Sequence, residues 1–348
     1  DVRTLFHEFG HALHDLLQPV RTDATPVCRD GDTVTGFATF RARALSLADT
    51  LRAQPSTRYA LCVDDAYDFA CVLFALLAAG KEPVIPANAT PGYLADLSGA
   101  FDAVLTDASL HALFAEAPLT EGTRSATIDP AAPLTLYTSG SSGQPKPIHK
   151  TLAQFNAEVH TLETQWGATV RDATVLASVP HHHIYGLLFR VLWPLAAGRA
   201  FDRLVSIDPV RLQERIDRCG GNAVLVSTPA QLSRWPALSG FATLAPAPRT
   251  IFSSGGPLAL DTAREYAAAF GAAPVEIYGS TETGGIAWRQ QSESEAWQPV
   301  AGIEVRRDED DEGLVLCAAR KTRGGSLGSR VAAVGFLRLL ALLQVRRS

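Results

Sequence analysis

The sequence predicts an α/β protein in which helices cover largely parallel sheets. Short apolar runs alternate with longer amphipathic segments over most of the chain, and this alternation is typical of parallel strands joined by helical crossovers. Apolar residues make up 47% of the 348 residues, charged residues make up 19%, and the formal net charge is -5. These values are those of an ordinary globular protein. The balance of charge gives no support to a nucleic-acid partner.

The chain begins with a predicted helix over residues 1–17, where apolar residues recur at helical spacing before Pro19 ends the pattern. Residues 18–32 contain several Thr, Asp and Pro residues and predict a linker with turns. A short strand and an amphipathic helix are predicted within residues 33–53.

Regular alternation of strands and helices is predicted from residue 59 onward. The strand segments are short apolar runs, and the helical segments carry apolar residues at spacings of three and four. We predict strands over residues 59–63, 83–85, 103–106, 134–137, 174–178, 223–226, 250–253, 275–278 and 313–316. We predict helices over residues 68–79, 93–98, 152–166, 187–197, 209–218 and 260–270.

The cysteines and the hydropathy pattern indicate a cytoplasmic protein. The five cysteines are scattered along the chain at Cys28, Cys62, Cys71, Cys219 and Cys317. They form no CxxC pair, so we predict neither a disulfide framework nor a cysteine zinc site. The longest apolar stretch before the tail, residues 69–80, is shorter than the roughly 20 residues that span a bilayer. We therefore predict no transmembrane segment.

A loop rich in Ser and Gly follows the strand predicted at residues 134–137. Residues 136–146 read Leu-Tyr-Thr-Ser-Gly-Ser-Ser-Gly-Gln-Pro-Lys. Small residues let backbone N–H groups approach a polyanion, hydroxyl groups add donors, and the ammonium of Lys146 adds positive charge. The spacing of a Walker loop is absent. Composition alone fits either a phosphate-binding loop or a flexible linker.

Three further segments carry groups suited to chemistry. Residues 180–186 read Pro-His-His-His-Ile-Tyr-Gly, residues 253–258 read Ser-Ser-Gly-Gly-Pro-Leu, and residues 277–283 read Ile-Tyr-Gly-Ser-Thr-Glu-Thr. The three histidines invite a zinc interpretation, but adjacent residues on an extended segment face opposite ways. The last segment follows an apolar strand, and its hydroxyl and carboxylate suit a magnesium nucleotide. A capped helix start is the alternative.

Together these segments resemble the signatures of the adenylate-forming superfamily, which includes acyl-CoA synthetases, luciferases and peptide-synthetase adenylation domains. The loop resembles the sequence TSGSTGxPKG, with Ser142 in place of Thr and Pro147 in place of the final Gly. The resemblance covers about residues 27–316. It implies the large N-terminal domain of an adenylate-forming enzyme, which we place at residues 33–316.

The resemblance implies a role for each matching residue. Lys146, His183, Thr281 and Glu282 would be catalytic, and Glu282 would hold Mg²⁺. Tyr278 would stack on adenine, and Thr281 would contact the α-phosphate. The implied nucleotide-binding residues are Thr138, Ser139, Gly140, Ser141, Ser142, Gly143, Lys146, Gly255, Gly256, Tyr278, Gly279, Ser280 and Thr281.

The implied reaction uses ATP and Mg²⁺ to convert a small carboxylic acid into an acyl-adenylate. A thiol, from CoA or from the phosphopantetheine of a carrier protein, would then displace AMP. The superfamily continues with a hinge Asp and a small C-terminal domain that carries a lysine, and neither is found after residue 283; Lys321 stands in an unrelated context. We therefore predict that the C-terminal small domain is missing, that residues 317–348 form an atypical basic and apolar tail, and that activity is impaired. A nucleotide-binding remnant without turnover is an alternative.

A second signal stands at the start of the chain. His7-Glu8-Phe9-Gly10-His11 is an HExxH sequence on the predicted helix, which would place two imidazoles one turn apart with a carboxylate beside them. Residues 4–14 resemble the active-site helix of thimet-type oligopeptidases, which are zinc metallopeptidases. This implies zinc on His7 and His11 with Glu8 as the base. A metalloendopeptidase fragment at residues 1–17 is therefore a further alternative, although nothing of that family follows residue 17.

Overall fold

Two sheets with mainly parallel strands form the framework of the protein in a computed structural model. The structure describes residues 13–19, 21–116, 125–138, 144–238, 241, 246–307 and 314–318. This architecture confirms the predicted α/β class with helices on largely parallel sheets.

Sixteen strands are present in the described part of the chain. They are β1 (Pro26–Asp30), β2 (Thr33–Gly36), β3 (Arg58–Cys62), β4 (Glu82–Ile85), β5 (Ala103–Thr106), β6 (Pro133–Thr138), β7 (Lys146–Thr151), β8 (Thr174–Ala177), β9 (Phe201–Val205), β10 (Ala223–Ser227), β11 (Thr250–Ser253), β12 (Val275–Ser280), β13 (Gly284–Gln290), β14 (Ser294–Pro299), β15 (Ile303–Arg307) and β16 (Leu314–Ala318).

Helices connect most of these strands. They are α1 (Phe37–Ala53), α2 (Ala66–Ala78), α3 (Pro91–Asp96), α4 (Asp107–Glu116), α5 (Leu152–Val170), α6, α7 (Pro209–Arg218), α8 (Pro229–Leu232) and α9 (Leu260–Phe270). The segment α6 is continuous and consists of a short α-helical turn (Ile184–Gly186), a π-helix (Leu187–Leu192) and a second α-helical piece (Trp193–Ala197). Across the described residues, no helix combines the length and the apolar character that crossing a bilayer requires.

The larger sheet has nine strands in the order β14-β13-β12-β11-β10-β8-β9-β1-β2. Its central strands are parallel, whereas β13, β14 and β2 pair antiparallel with their neighbours at the two edges. The smaller sheet has the order β5-β3-β4-β6-β7, and only β7 is antiparallel to its neighbour. The strands β15 and β16 form a separate pair.

Local sequence explains the helices that matter most for the site. Asp65 caps the amino end of the helix α2, and its carboxylate accepts hydrogen bonds from the backbone N–H groups of Tyr67 and Asp68. The helix α5 begins with a capping box, in which Thr151 and Gln154 each bond the backbone of the other. Most of α2 is apolar and fully buried, as expected for a helix that packs between other layers.

The start of the chain differs from its predicted structure. Leu13, Leu16 and Leu17 are fully buried in the main hydrophobic core, but residues 13–17 form turns. The prediction of a helix is therefore wrong over those five residues. The predicted linker at residues 18–32 contains the strand β1, which pairs with β2 and β9. The domain boundaries derived from the sequence remain a prediction.

The carboxyl ends of β8, β10, β11 and β12 meet at one edge of the larger sheet, because these strands are parallel neighbours. The segments that follow β8, β11 and β12 carry residues singled out from the sequence, namely His183, Gly255 and Thr281, and Thr228 follows β10. In open α/β sheets, ligands bind at the carboxyl ends of the strands. This edge is therefore where a site is expected.

A buried ion pair joins β12 to β13 in the larger sheet. Glu276 on β12 accepts two hydrogen bonds from Arg289 on β13, at 2.8 and 3.0 Å, and another from the backbone N–H of Leu258 at 2.9 Å. The side chain of Glu276 is 1% exposed and that of Arg289 is 10% exposed. The pair therefore ties the turn after β11 to the β12–β13 hairpin.

We expect Glu276→Ala to lower the free energy of unfolding by about 3–5 kcal/mol, because it leaves the guanidinium of Arg289 buried without its carboxylate. Urea-induced unfolding checks this result. Glu265→Ala on the exposed side of α9 is the control and should change the free energy by less than about 0.5 kcal/mol. Equal effects of the two substitutions would contradict a structural role for the pair.

Candidate active site

A cavity of about 300 Å³ lies at the carboxyl edge of the larger sheet. Its walls come from the segments after β8, β10, β11 and β12 and from one side of α5. Five residues predicted from the sequence line it: His183, Gly255, Gly279, Ser280 and Thr281. The fold thus brings together three of the four segments that the sequence analysis singled out.

An ion pair joins the two segments that the sequence analysis assigned to a nucleotide. The Nζ atom of Lys146, at the start of β7, lies 2.7 Å from Oε1 of Glu282, in the turn after β12. The two residues are 136 positions apart: Lys146 is in the smaller sheet, and Glu282 is in the turn that joins β12 and β13 of the larger sheet. Their side chains are 58% and 39% exposed. A pair this exposed stabilises a fold by at most about 1 kcal/mol. Stability alone therefore gives little reason for a lysine and a glutamate to meet at this position.

The ion pair keeps Glu282 ionised. The hydrogen bond from Lys146 lowers the pKa of the Glu282 carboxyl below its usual value, and bonds from its own backbone and from Ser280 act in the same direction. Because the folded pKa is depressed, the pair stabilises the folded state above the unfolded pKa. That contribution disappears as the pH falls through the folded pKa.

We expect Lys146→Met to raise the pKa of Glu282 towards its ordinary value, because the charged donor is removed while the bulk of the side chain is kept. Titration of the glutamate carboxyl carbons by NMR measures this directly. Lys81→Met is the control, since Lys81 donates to the carbonyl of Gln54 on another face. An unchanged pKa of Glu282 in Lys146→Met would show that the pair does not form in solution.

Reciprocal hydrogen bonds shape the turn that holds Thr281 and Glu282. The backbone N–H of Ser280 donates to Oγ1 of Thr283 at 3.1 Å, and the N–H of Thr283 donates to Oγ of Ser280 at 3.2 Å. The buried Lys150 donates to the carbonyl of Glu282 at 3.3 Å. The turn is thereby held by hydrogen bonds between its own residues and by one hydrogen bond from β7.

Gly279 is required for backbone packing in this turn. A Cβ atom at this position would lie 2.2 Å from the carbonyl oxygen of Gly284 across the hairpin, which is closer than atoms can approach. A glycine predicted from the sequence as a nucleotide contact thus also lets β12 and β13 come together. Its neighbour Tyr278 packs edge-on against Trp297, with ring centroids 5.7 Å apart.

The turn after β11 lies against the same hairpin. Ser254 donates its hydroxyl to the carbonyl of Ile277 at 2.9 Å. Gly255 adopts a φ of +88°, in the left-handed region that favours glycine, and Gly256 is exposed beside Pro229. The segment that the sequence analysis placed on the adenine side is therefore next to Tyr278 in the fold.

The Ser- and Gly-rich loop joins the two strands of a hairpin. Thr138 at the end of β6 and Lys146 at the start of β7 are cross-strand partners, so the loop leaves and returns at one place. Ser139, Gly140, Ser141, Ser142 and Gly143 lie outside the described residues. The proposed binding of phosphates by these five residues therefore stays a prediction. Of the residues that flank the loop, Lys146 contacts Glu282 and Thr138 is the cross-strand partner of Lys146.

The three adjacent histidines lie in different environments. His181 is buried, bonds the carbonyl of Val63 at 2.8 Å and contacts Arg190 at 3.1 Å. Its ring lies 4.5 Å from that of His182, whereas His183 lines the cavity. Desolvation lowers the pKa of all three, which favours neutral imidazoles at neutral pH. The part of the chain that the structure describes contains no cluster of three metal-ligating side chains, so the zinc interpretation of these histidines is not supported.

The residues of the predicted zinc helix, His7, Glu8 and His11, lie outside the described residues. Their neighbour His14 is described, and its Nε2 lies 3.6 Å from the carboxylate of Asp15. The backbone of residues 13–17 bonds to other parts of the fold, including Asn156 on α5. This segment therefore packs with the rest of the protein.

Comparison with known proteins identifies the family. A family model described as AMP-binding enzyme matches residues 104–316, which is more than half of the chain. The chain belongs to this family. The matched range includes the Ser- and Gly-rich loop, the three histidines and the turn with Glu282, so the resemblance seen in the sequence is confirmed at the level of the family. It begins after the HExxH segment and lends that segment no support.

Similar curated proteins are CoA ligases. The chain is 34% identical to a 4-coumarate–CoA ligase of Cereibacter sphaeroides over 165 residues, 47% of this chain and 38% of that protein. It is 31% identical to the mitochondrial malonate–CoA ligase of Homo sapiens over 80 residues, 23% of this chain and 14% of that protein. The matches thus span less than half of the length of either relative.

Solved structures share the fold. Apo MatB from Rhodopseudomonas palustris matches with a TM-score of 0.74 at 20% identity, over 89% of this chain and 70% of that chain. The O-succinylbenzoate CoA synthetase MenE from Bacillus subtilis, in complex with AMP, matches with a TM-score of 0.74 at 18% identity, over 88% and 70% of the two chains. The chain therefore shares its fold with these two proteins.

Sequence reasoning missed the wall of the cavity that α5 provides. Glu158, Thr161, Leu162 and Trp166 line the cavity from this helix. Their spacing is that of one helical face, but nothing in the sequence indicated which layer this face would meet. The signal available in the sequence was a glutamate, Glu158, at helical spacing from the apolar residues Leu162 and Trp166.

Proposed function

We propose that this chain activates a carboxylic acid with ATP and supports transfer of the acyl group to a thiol. A single observation carries the proposal: Lys146 and Glu282 meet at 2.7 Å at the same sheet edge as a mainly apolar cavity. A cation and an ionised carboxylate suit a magnesium polyphosphate, and the cavity suits the body of an acid. The membership in the AMP-binding family supports the same reaction.

The described residues fit a magnesium nucleotide. Glu282 offers an exposed, ionised carboxylate, which is the hard oxygen ligand that Mg²⁺ prefers. The ion would spread the negative charge of the phosphates. When the nucleotide enters, Lys146 can turn from Glu282 towards phosphate oxygens, because its side chain is more than half exposed. Thr138 and Thr281 would supply hydroxyl donors beside the same groups, and Tyr278 would lie along the base.

The proposed reaction has two steps. A carboxylate oxygen of the acid attacks the α-phosphorus of ATP, and the bond to pyrophosphate breaks to leave acyl-adenylate. A thiol sulfur then attacks the acyl carbon, and AMP and the thiol proton leave. Such reactions depend mainly on neutralising charge and aligning the reactants. His183 at the cavity wall would face the carboxylate end of the acid.

The acceptor thiol in this proposal is CoA. The similarity to 4-coumarate–CoA and malonate–CoA ligases supports CoA over a carrier protein. These relatives are named for an aromatic acid and for a short diacid, so their names alone leave the class of acid open. The matches span only part of the length of those relatives. Thioester formation by this chain is therefore proposed as a second activity, and it needs a test separate from that of acyl-adenylate formation.

Exchange of labelled pyrophosphate into ATP tests the proposal. We expect exchange that requires both Mg²⁺ and an added carboxylic acid, because only the reversible first step returns label to ATP. Omission of the acid is the control. Calorimetric binding of Mg·ATP without any acid-dependent exchange, over a broad set of aromatic, aliphatic and dicarboxylic acids, would overturn the proposal and favour a nucleotide-binding protein without turnover.

A further inference from the structure

The histidine segment, residues 180–183, runs between two cavities. Pro180 lines both the active-site cavity of about 300 Å³ and a second cavity of about 770 Å³. His183 lines the active-site cavity, whereas His181 and His182 line the second cavity. Because these residues are consecutive, an anchor on His181 also restricts where His183 can lie.

Two hydrogen bonds anchor the imidazole of His181, a residue that is 1% exposed. Its Nε2 atom lies 2.8 Å from the carbonyl oxygen of Val63, and its Nδ1 atom lies 3.1 Å from Nη1 of Arg190. A carbonyl only accepts and a guanidinium only donates. Nε2 therefore carries the proton and Nδ1 accepts, which requires the neutral ring. Burial lowers the pKa of His181 well below its ordinary value, in agreement with this form.

These bonds connect the two sheets and α6. Val63 directly follows β3 of the smaller sheet, His181 follows β8 of the larger sheet, and Arg190 belongs to the π-helix of α6. The Nη2 atom of Arg190 donates to the carbonyl of Arg203 on β9 at 3.0 Å. The ring of Phe69 on α2 packs against the imidazole, with centroids 4.1 Å apart. His181 is therefore held by contacts with both sheets and with α6.

Packing alone gives no reason for an arginine at position 190. Arg190 is fully buried, and no ion pair among the described residues includes it. The nearby carboxylates have other partners, since Asp202 pairs with Arg215 and Asp65 pairs with Arg203. Burial lowers the pKa of Arg190 to about 10, so the guanidinium stays charged at neutral pH. A buried charge without a carboxylate destabilises a fold relative to an apolar side chain. The hydrogen bonds that Arg190 donates are therefore the reason that we assign to its presence.

The helix α6 also contacts the histidine segment directly. Leu188 and Phe189 line the active-site cavity, and the next residue, Arg190, lines the second cavity. At the start of α6, a Cβ atom on Gly186 would collide with the carbonyl oxygen of Pro180. Short π-helices within α-helices are frequent at functional sites. One continuous helix thus forms a wall of the active-site cavity and holds the neighbouring segment through Arg190.

From this geometry we propose that Arg190 and His181 are positioning residues that hold the histidine segment between the two sheets and thereby fix the imidazole of His183 at the wall of the active-site cavity. The consequence for catalysis rests on the proposed function, in which His183 faces the carboxylate of the acid. A displaced imidazole should impair the reaction of the acid. It should leave Mg·ATP binding unchanged, because Lys146 and Glu282 are held by other contacts.

Arg190→Met tests the proposal, because an unbranched apolar side chain fills the buried space and donates no hydrogen bond. The probe acid is 4-coumarate, or malonate if it gives faster pyrophosphate exchange. We expect kcat/KM for the acid to fall by about 10- to 100-fold, the usual effect of a small error in the position of a reacting group. The calorimetric Kd of Mg·ATP should stay unchanged. NMR of the histidine rings should show shifted signals for His183, and this readout does not depend on activity.

Two substitutions of His181 separate positioning from packing. His181→Asn keeps an acceptor near the place of Nδ1, whereas His181→Leu removes both hydrogen bonds and keeps most of the bulk. We expect kcat/KM for the acid to be about tenfold higher in His181→Asn than in His181→Leu, as for a hydrogen bond to a charged group. Combining His181→Leu with Arg190→Met should add little further loss, because the two residues act as one unit.

Tyr266→Phe is the matched control, since it also removes one buried hydrogen bond, to the carbonyl of Leu232, in a separate apolar cluster. It should leave kcat/KM for the acid and the signals of His183 unchanged. Equal losses in Tyr266→Phe and Arg190→Met, equal losses in His181→Asn and His181→Leu, or weaker Mg·ATP binding in Arg190→Met would overturn the positioning role.

The NMR signals separate this proposal from the proposed function. If no acid supports pyrophosphate exchange, acid activation fails, and shifted signals of His183 in Arg190→Met still support the positioning role. If exchange occurs but the signals of His183 and kcat/KM are normal in Arg190→Met, the positioning role is overturned while acid activation stands. Should Arg190→Met fail to fold, the comparison of His181→Asn with His181→Leu decides in the same way.

Discussion

Lys146→Ala is expected to reduce acid-dependent pyrophosphate exchange by about 10²- to 10³-fold, the usual effect of removing one preorganised charge from a transition state. The free energy of unfolding should change by less than about 1 kcal/mol, because the pair with Glu282 is exposed. Steady-state exchange and urea-induced unfolding measure the two quantities on the same preparation. A large loss of activity without loss of stability is the signature of a group that acts on the nucleotide.

Lys81→Ala provides the matched control for this substitution. Lys81 is also a lysine near the surface, but it donates to the carbonyl of Gln54 away from the cavity. Exchange at the level of the unaltered protein in Lys81→Ala is therefore expected. If Lys146→Ala retained normal exchange, the ammonium would have no role in the reaction and the assignment of the loop would be wrong.

Gly279→Ala is expected to abolish Mg·ATP binding and to lower the free energy of unfolding by about 3 kcal/mol. The added methyl group would meet the carbonyl oxygen of Gly284 at 2.2 Å, and the obstacle is backbone that cannot rotate away. The hairpin must open to relieve this contact, which displaces Thr281 and Glu282 from the sheet edge. Calorimetry with Mg·ATP and urea-induced unfolding check the two effects.

Gly285→Ala is the control in the same hairpin. A Cβ atom at Gly285 finds its nearest neighbour, a methyl carbon of Ile277, at 4.0 Å, which is an ordinary contact. Its effect on Mg·ATP binding should therefore be small. Normal nucleotide binding in Gly279→Ala would show that the turn tolerates displacement and that its geometry does not matter for the site.

Sequence patterns predicted the buried parallel strands well, because such strands are short continuous apolar runs. The strands at residues 103–106 and 250–253 have the bounds that the sequence indicated. The strand β7 was missed because its sequence, Lys-Pro-Ile-His-Lys-Thr, is mostly polar and forms the exposed edge of the smaller sheet. Edge strands carry polar side chains that hide them from hydropathy patterns.

The site could be predicted only as far as its local motifs extend. The segments containing Lys146, His183 and Thr281 each carry a recognisable order of small, polar and charged residues. The distance between Lys146 and Glu282 depends on how two sheets pack, and no local pattern encodes it. The contact between Glu158 and Gly285 could not be predicted for the same reason, since the two residues are 127 positions apart.

The central claim is that Lys146 and Glu282 act on one nucleotide, and a double-mutant cycle on Mg·ATP affinity tests it most directly. Calorimetry would compare the unaltered protein with Lys146→Ala, Glu282→Ala and the double variant. We predict a Kd at least about tenfold higher in each single variant and non-additive effects in the double variant, with a coupling of about 1 kcal/mol or more. Unchanged affinity in either single variant, or strictly additive effects, would contradict the claim.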